Sequence, residues 1–361
     1  MTAEMNAPAA GASRRSAALH DHALMRACRL QPAPYTPIWL MRQAGRYMPE
    51  YREVRARHDF LEMCRRPEVA AEVTVTAVER LNVDAAIIFA DILLPLLPMR
   101  VGLRYAKEGG PTVERPVRTD ADVARIAPVD AAGALGFVGE AIRLARRALG
   151  GRTPLIGFAG APFTLASYLI EGGASRNYQA TKTMMYTAPE RWHRLMTTLA
   201  QITAEYLKLQ IAAGVDLVQL FDSWVGTLAP DDYRRFVMPH SAAAIAALDA
   251  RVPVIHFGTG TAMLLEAMRE AGGDIIGLDW RVDLGEAWSR LGDRVGVQGN
   301  LDPVALFADI PEIRRRARAI LERAGGRPGH IFNLGHGILP ETPVDHVRAL
   351  VDAVHEMSGA Q

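Results

Sequence analysis

The stretch LNVDAAIIFAD (residues 81–91) recurs in a looser form as AGVDLVQLFD (213–222) and AGGDIIGLD (271–279). Each copy holds a helix end, an aspartate, a short apolar run and a second aspartate, which is the pattern of one helix-to-strand step. The apolar runs do not alternate with polar residues, as expected for strands of a parallel sheet that helices cover. The repeat therefore predicts parallel strands connected by helices.

Short apolar runs bounded by turn residues predict eight strands along the chain. They cover residues 37–41, 84–89, 154–158, 216–221, 253–257, 275–278, 295–298 and 330–334. Eight strands alternating with helices over roughly 320 residues fit a (β/α)8 TIM barrel, an α/β fold of a single domain. We expect this barrel over residues 20–361. The alternative is an open doubly wound sheet, but no G-x-G-x-x-G motif follows an early strand.

Several helix ends can be predicted from capping residues. Apolar residues at helical spacing predict a helix over residues 189–213 that begins after Thr187 and stops at Gly214. Thr342 followed by Pro343 predicts the N-cap and first residue of the last helix. The pair formed by Asp302 and Pro303 repeats this device.

The bulk composition excludes several classes of protein. With 41 Lys+Arg against 40 Asp+Glu, the 361-residue chain has a net charge of +1, so no global field favours nucleic acid or an anionic membrane. The longest apolar stretch, residues 85–99, contains Asp91 and two prolines and is shorter than the ~20 residues that span a bilayer. We therefore expect no nucleic-acid partner and no membrane segment.

The cysteines and the N-terminus bear on location. Cys28 and Cys64 match neither a disulfide framework nor a zinc pattern, and such sparse usage suits a cytoplasmic protein. Residues 1–19 are rich in Ala, Ser and Thr and lack the apolar segment of a secretory signal. We expect a disordered tail there, and a short organelle transit peptide is the alternative.

In a parallel barrel, the functional site lies at the carboxyl ends of the strands, so residues that directly follow a predicted strand are candidates. Most of the predicted strands are followed by polar or charged residues. These are Arg42, Gln43 and Arg46, then Asp91, then Asp222 and Ser223, then Asp279, Asn300 and His336. The sequence therefore predicts a ring of polar groups around one mouth of the barrel.

The segment after the first predicted strand is rich in arginine. It contains Arg42, Arg46, Arg52, Arg55 and Arg57 against Glu50 and Glu53. Arginine pairs with two oxygens of a carboxylate or phosphate at once. Gly45 would let the backbone bend so that Arg42 and Arg46 converge on one anion. For Arg52 and Arg57 we favour surface ion pairs with the two glutamates.

Asp91 lies between two apolar runs, where a carboxylate must be paired or be used. One interpretation is a partner for a nearby arginine. The other is a negative charge held against a developing cation or a ring of N–H donors.

The remaining candidates are less specific. Tyr168 lies on a predicted helix after a turn of small residues, where a core tyrosine is the alternative, and Ser223 could be a turn residue. His336 lies between two glycines directly after a strand, an unusual place for a packing histidine. Asp222, Asp279 and Asn300 could equally be caps at the strand ends, so we do not count them among the candidate site residues.

Seven segments also occur in the order of one known family. They are PIWLMRQAGRYMPEYREVR (37–55), IIFADIL (87–93), GFAGAPFTLASYLIEGG (157–173), LFDSWVG (220–226), HFGTG (256–260), QGNLDP (298–303) and FNLGHGILPETP (332–343). Together they resemble the uroporphyrinogen decarboxylase family of haem biosynthesis across nearly the whole chain after residue 30.

The resemblance implies a homodimeric (β/α)8 barrel that removes CO2 from the four acetate side chains of uroporphyrinogen III to give coproporphyrinogen III. It implies no metal and no organic cofactor. It implies catalytic roles for Asp91, Tyr168 and Arg42. The substrate-binding positions it implies are Arg42, Gln43, Ala44, Gly45, Arg46, Arg55, Asp91, Tyr168, Ser223 and His336. The proton donor stays open between an arginine, a water molecule and Tyr168.

Two other functions compete with this one. Zinc- or corrinoid-linked methyltransferases resemble the same barrel family but need a His-x-Cys pattern, and this chain has His256, Phe257 and Gly258 at the equivalent stretch. A noncatalytic tetrapyrrole carrier would use the arginines alone. Such a carrier of a polyanion has no reason to place Asp91 in its pocket.

Overall fold

The computed structural model describes residues 19–105, 110–128, 130–249 and 252–359. Its α-helices are α1 Ala23–Cys28, α2 Pro49–Arg57, α3 Phe60–Arg65, α4 Pro67–Leu81, α5 Asp120–Arg125, α6 Ala131–Leu149, α7 Pro162–Glu171, α8 Gln179–Thr187, α9 Pro189–Ala213, α10 Pro230–Phe236, α11 Met238–Ala246, α12 Leu265–Ala271, α13 Leu284–Leu291, α14 Ile310–Ala324 and α15 Val344–Ser358. Short 3-10 helices span Leu94–Met99, Val225–Thr227 and Pro303–Phe307.

The β-strands form a parallel sheet and a separate hairpin. They are β1 Ala86–Ile87, β2 Leu103–Tyr105, β3 Pro111–Val113, β4 Leu155–Gly160, β5 Leu217–Asp222, β6 Val254–Gly258, β7 Ile275–Gly277, β8 Gly296–Gln298 and β9 His330–Ile331. The parallel sheet has the order β1-β4-β5-β6-β7-β8-β9, and β2 pairs with β3 in antiparallel fashion. The hairpin was not predicted from the sequence.

Residues 37–41 close the parallel sheet into a barrel. Ile38 forms a parallel bridge with Phe332, which follows β9. On its other side, the Ile38 carbonyl accepts the backbone N–H of Asp84, just before β1, at 2.8 Å. The eight predicted apolar runs therefore occupy the eight strand positions of the barrel, and the predicted single-domain (β/α)8 fold is confirmed.

The barrel interior is packed with apolar side chains and crossed by one chain of polar groups. Ile156, Leu217 and Ile255 belong to a buried cluster that α1 covers at the amino-terminal end. Among them, the Trp39 indole donates to Gln298 at 2.8 Å, and Gln298 donates to Gln219 at 2.9 Å. Buried polar groups are tolerated when they are hydrogen-bonded, as these three side chains are.

The first aspartate of each repeat makes the same two bonds to a neighbouring strand. Its backbone N–H donates to the carbonyl of one residue, and its Oδ2 accepts the N–H of that same residue. The pairs are Asp84 with Ile38, Asp216 with Leu155 and Asp274 with Val254, with all six N···O distances between 2.8 and 2.9 Å. The repeat seen in the sequence is thus a repeated strand clamp at the amino-terminal end of the barrel.

The helix-end predictions were mostly accurate. Helix α9 spans Pro189–Ala213 and ends at Gly214, as predicted. The Asp302 side chain accepts the N–H of Val304 at 2.9 Å, which confirms the cap, although the element is a 3-10 helix. The Thr342 prediction was wrong, because the N-cap is Pro343 and the buried Thr342 hydroxyl has no partner within the described residues.

Two other expectations concern the ends of the chain and the membrane. The tail expected over residues 1–19 lies outside the described residues, apart from Leu19, which is buried. Among the described helices, none is long and apolar enough to cross a bilayer.

Candidate active site

A cavity of about 490 Å³ lies at the carboxyl ends of the barrel strands. It brings together nearly all of the predicted site residues. Those that line it are Arg42, Ala44, Gly45, Arg46, Arg55, Asp91, Tyr168, Ser223 and His336. A single concave site with a few converging polar groups is the usual form of a small-molecule site, so we treat this cavity as the candidate active site.

The loop after residues 37–41 directs two arginines into the cavity. Arg42 has a left-handed backbone with φ of 64°. A side chain on Gly45 would come within 2.7 Å of the Arg42 carbonyl, and one on Gly337 would overlap the Arg42 side chain. Burial lowers the pKa of Arg42, and the neighbouring positive charge of Arg46 lowers it further. An anion bound between these two cations would relieve their repulsion.

The Gln43 side chain turns away from the cavity, and its predicted role in substrate binding stays a prediction. Its side chain is fully buried and does not line the cavity. Its Oε1 accepts the N–H of Leu40 at 3.0 Å, and its Nε2 donates to the carbonyl of Ala85 at 2.9 Å. The Gln43 side chain therefore fixes the arginine loop to the barrel.

Arg55 and Arg52 have different surroundings, and the ion pair predicted for Arg52 is not formed. Arg55 lines the cavity and donates to the carbonyl of His58 at 2.7 Å. Arg52 points away and holds the carbonyls of Arg46 and Tyr47 at 3.0 and 2.8 Å. Its predicted ion pair with a glutamate is replaced by these backbone contacts, and Glu50 pairs instead with Arg80 at 2.6 Å.

Asp91 is half-buried at the cavity and has one oxygen fully engaged. Its Oδ1 accepts the hydroxyl of Tyr105 at 2.6 Å and the backbone N–H of Leu93 at 2.8 Å. Burial raises the pKa of this carboxyl, while these two bonds and the charge of Arg42 act in the opposite direction. Its bonded partners are thus a tyrosine and a backbone amide, and an arginine acts on it only through its charge.

Tyr105 is a residue of this site that sequence reasoning missed. It lies at the end of β2 in the hairpin, with its ring 4.9 Å from that of Phe60. Tyr105 follows none of the predicted barrel strands, so its position in the sequence does not mark it as a candidate. No local motif marks the position, because its contact to Asp91 spans 14 residues and depends on the folded hairpin.

Tyr168, Ser223 and His336 reach the cavity from three different elements. Tyr168 lies on α7, and burial raises its pKa to about 12. Burial and the charge of Arg42 lower the pKa of His336 to about 4, and its ring meets that of Trp280 edge-on. The phenol and the imidazole are therefore both neutral at neutral pH. Ser223 directly follows β5 and lines the cavity.

One wall of the cavity is aromatic. Phe158, Phe221 and Phe257 come from β4, β5 and β6, and adjacent rings meet edge-on at centroid distances of 5.6 and 5.8 Å. Such a wall keeps water away from one side of a bound molecule and lowers the local dielectric constant. Charge interactions inside the cavity are strengthened as a result.

The residues that would hold zinc in the rival methyltransferase do not form a metal site. His256 is fully buried, and its Nδ1 lies 3.3 Å from the carbonyl of Gly272 on the outer side of the barrel. Gly258 supplies no side chain. Within residues 19–105, 110–128, 130–249 and 252–359, no group of three or more His, Cys, Asp or Glu side chains could hold a metal ion.

Solved structures support the fold. A methyltransferase from Methanosarcina mazei superposes with a TM-score of 0.74 over 92% of this chain and 97% of its own, at 19% identity. A B12-independent methionine synthase from Shewanella sp. W3-18-1 gives a TM-score of 0.55 over 80% of this chain and 88% of its own, at 15% identity. At these identities the likeness concerns the fold alone.

Sequence relatives are much more similar. The uroporphyrinogen decarboxylase of Carboxydothermus hydrogenoformans is 56% identical over 92% of this chain and 96% of its own length. That of Sorangium cellulosum is 55% identical over 95% of this chain and 98% of its own. A family model described as uroporphyrinogen decarboxylase (URO-D) matches residues 19–357. The chain therefore belongs to the uroporphyrinogen decarboxylase family.

Proposed function

We propose that this chain is a uroporphyrinogen decarboxylase that converts the four acetate side chains of uroporphyrinogen III to methyl groups and so forms coproporphyrinogen III. The observation that carries the proposal is one carboxylate, Asp91, in a cavity that Arg42, Arg46 and Arg55 also line. A polyanionic substrate accounts for the arginines. It does not account for Asp91, and we infer that this carboxylate stabilises a positive charge that develops on the substrate.

The arginines would bind carboxylates of the substrate. Uroporphyrinogen carries eight of them, and the planar guanidinium can grip two oxygens at once. Arg42 and Arg46 lie on one loop, held by Gln43, so they would bind neighbouring carboxylates as a preformed pair. Ser223 and His336 would add neutral hydrogen bonds, since a neutral imidazole can donate or accept without adding charge.

Asp91 would stabilise the cation on which decarboxylation depends. Protonation of a pyrrole carbon makes the ring cationic, and the electrons of the broken C–C bond neutralise that cation as CO2 departs. The exocyclic methylene left behind takes up a proton to become the methyl group, and the ring carbon gives up the first proton. The substrate thereby supplies the electron sink that a cofactor provides in other decarboxylases. A fixed carboxylate facing the pyrrole N–H groups would favour the cation more than the neutral ring, which is the condition for rate acceleration.

The proton that starts this sequence has three candidate sources. Tyr168 borders the cavity as a protonated phenol, Arg42 borders it as a guanidinium, and a water molecule could enter beside them. We assign Tyr168 and Arg42 catalytic positions next to Asp91. The aromatic wall of Phe158, Phe221 and Phe257 would keep bulk water from the opposite side of the ring.

We also propose a homodimer in the cytoplasm that binds neither nucleic acid nor membrane. The family resemblance supports the dimer, and exposed apolar side chains at Val304, Phe307 and Ile310 supply a candidate contact surface. The near-neutral charge argues against a nucleic-acid partner. Cys28 and Cys64 are both free and buried, as suits a reducing compartment. Sedimentation equilibrium at micromolar protein tests the dimer directly.

The function is tested by incubating the purified protein with uroporphyrinogen under reducing, metal-free conditions. Mass spectrometry of the oxidised products counts the carboxyl groups that remain. We expect the substrate to pass from eight carboxyl groups to four, with CO2 released in step. Retention of all eight carboxyl groups by a folded protein would refute the assignment.

A further inference from the structure

We propose that Tyr105 is a positioning residue for Asp91: its hydroxyl holds one carboxylate oxygen so that the other faces the substrate. The inference rests on the proposed function for its catalytic consequence, but the contact itself is a property of the folded chain.

The geometry separates the two oxygens of Asp91. Oδ1 receives the Tyr105 hydroxyl at 2.6 Å and the Leu93 N–H at 2.8 Å, and both donors come from the chain that follows β1. Oδ2 has no hydrogen bond within the described part of the chain, and Asp91 lines the cavity. Two donors on one oxygen fix the rotation of the carboxylate, so Oδ2 is the oxygen left to meet a pyrrole N–H.

Tyr105 is itself held on two sides. Its strand pairs with β3, where Tyr105 lies opposite Pro111, and its ring packs against Phe60. The hairpin is tied in turn to α7, because Val113 donates its N–H to the carbonyl of Gly172, directly after that helix. Since α7 also carries Tyr168, one support places both tyrosines relative to Asp91.

The bond between Tyr105 and Asp91 is of a strong type. A phenol donating to a carboxylate at 2.6 Å is a charge-assisted hydrogen bond. Burial and the negative charge of Asp91 raise the pKa of Tyr105, so the phenol stays protonated and donates throughout the neutral range. The same bond favours the ionised carboxylate against the desolvation that disfavours it.

The other titratable groups around Asp91 do not duplicate this effect. Arg42 supplies the facing positive charge, and Cys64, Tyr168 and Tyr206 each interact with Asp91 electrostatically. Burial raises the pKa of all three, so they are uncharged at neutral pH. Removing the Tyr105 hydroxyl would therefore leave Arg42 and the Leu93 N–H as the groups that keep Asp91 ionised.

The test is Tyr105→Phe, which keeps the ring and its packing on Phe60 and removes only the donor. We expect the acidic limb of the kcat/KM profile to move to higher pH by about one unit, because Asp91 loses a bond that favours its charged form. We expect kcat at neutral pH to fall about tenfold, since the carboxylate is free to rotate. Replacement of Tyr105 by 3-fluorotyrosine, a stronger donor, should move the limb the other way.

Tyr186→Phe is the matched control. Its hydroxyl donates to Asp232 at 2.7 Å on the exposed surface, so the same chemical change is made in a phenol–carboxylate pair outside the cavity. Its pH profile should match the wild type. A Tyr105→Phe profile that also matches the wild type, with unchanged kcat, would overturn the inference.

A readout without turnover separates this inference from the proposed function. The carboxylate stretching band of Asp91, identified by difference infrared spectroscopy against Asp91→Asn, gives the titration of that group directly. A higher pKa of Asp91 in Tyr105→Phe than in the wild type supports the contact even if uroporphyrinogen is not the substrate. An unchanged pKa of Asp91 refutes it. Absence of CO2 release by the wild type counts against the function alone. If Tyr105→Phe is too unstable for kinetics, the infrared titration of Asp91 is compared between the wild type and the 3-fluorotyrosine protein. A lower pKa of Asp91 in the 3-fluorotyrosine protein supports the contact, and an unchanged pKa refutes it.

Discussion

The two aspartates of each repeat lie at opposite ends of the barrel and have different roles there. At the amino-terminal end, Asp84, Asp216 and Asp274 each clamp a neighbouring strand through the same two bonds. At the carboxyl end, the second aspartates of the same repeats have three different surroundings. Asp91 lines the cavity, Asp222 is buried against Thr164, and Asp279 accepts the N–H groups of Gly260 and Arg281. The aspartates have the same contacts at the end that holds the barrel together, and they have different contacts at the end where barrel enzymes carry their active sites.

Among substitutions that test this difference between the two ends, the largest expected effect is the loss of activity at Asp91. Asp91→Asn keeps the shape of the side chain and removes its charge, so the transition-state cation loses its facing carboxylate. We expect kcat to fall at least about 100-fold, the range seen when one preorganised electrostatic group is removed. Steady-state kinetics of CO2 release and a thermal melt measure activity and folding separately.

The control for this variant is the same change at the other end of the barrel. Asp216→Asn should lower stability while the folded protein keeps its kcat, because Asp216 bonds to Arg146 and Leu155 far from the cavity. An Asp91→Asn protein that turns over at the wild-type rate would remove the distinction between the two ends.

The next effect is on stability, at Asp84. Its carboxylate is buried and accepts from Ile38, from the Tyr35 hydroxyl at 2.9 Å and from His355 at 2.8 Å. Asp84→Ala leaves all three donors unpaired where 37–41 closes the barrel. We expect the free energy of unfolding to drop by about 3 kcal/mol in urea titrations.

Asp274→Ala provides a comparison for the stability loss expected at Asp84. Among the described residues, the Asp274 carboxylate accepts one backbone N–H, that of Val254, at an exposed position, so the loss should be near 1 kcal/mol. Equal losses at the two positions would contradict the idea that the closing clamp carries more of the stability.

A smaller effect is expected at the cavity rim. Arg46→Ala removes one cation of the preformed pair and should raise KM about tenfold, or let partially decarboxylated intermediates accumulate. Liquid chromatography of products at low substrate concentration detects both. Arg57→Ala is the control, because its guanidinium is exposed and, within the described part of the chain, contacts the carbonyl of Glu53. The same KM for both variants would remove Arg46 from the binding site.

The smallest expected effect is a pH dependence of stability that arises from His355 and Asp84 at the amino-terminal end of the barrel. The bond to Asp84 raises the pKa of His355, so the folded state favours the protonated imidazole. The stabilisation is fully present below the unfolded pKa of about 6.5 and is lost as pH rises through the higher folded value. We expect the difference in unfolding free energy between wild type and His355→Phe to shrink by under about 1 kcal/mol from pH 5.5 to pH 8.5. A difference that grows with pH would show that the sign is wrong.

Sequence reasoning worked best where a residue's role depends on its neighbours in the chain. The helix over 189–213 was bounded correctly because Pro189 and Gly214 act on the backbone next to them. The candidates for the active site were found because parallel strands bring their carboxyl ends to one edge, so position after a strand predicts proximity. Thr342 shows the limit of local rules, since burial of its hydroxyl overrode its preference for an N-cap.

What the sequence determined by itself is the eight-stranded barrel, the family and the set of polar residues that meet at one mouth, because each follows from periodicity, turn chemistry or a matched motif. What only the tertiary structure decided is the direction of individual side chains. Gln43 turns inward to Ala85, and Tyr105 reaches Asp91 from a hairpin that no pattern predicted. The physical reason is that these contacts are made between elements, and their geometry is set by packing that no local stretch of chain contains.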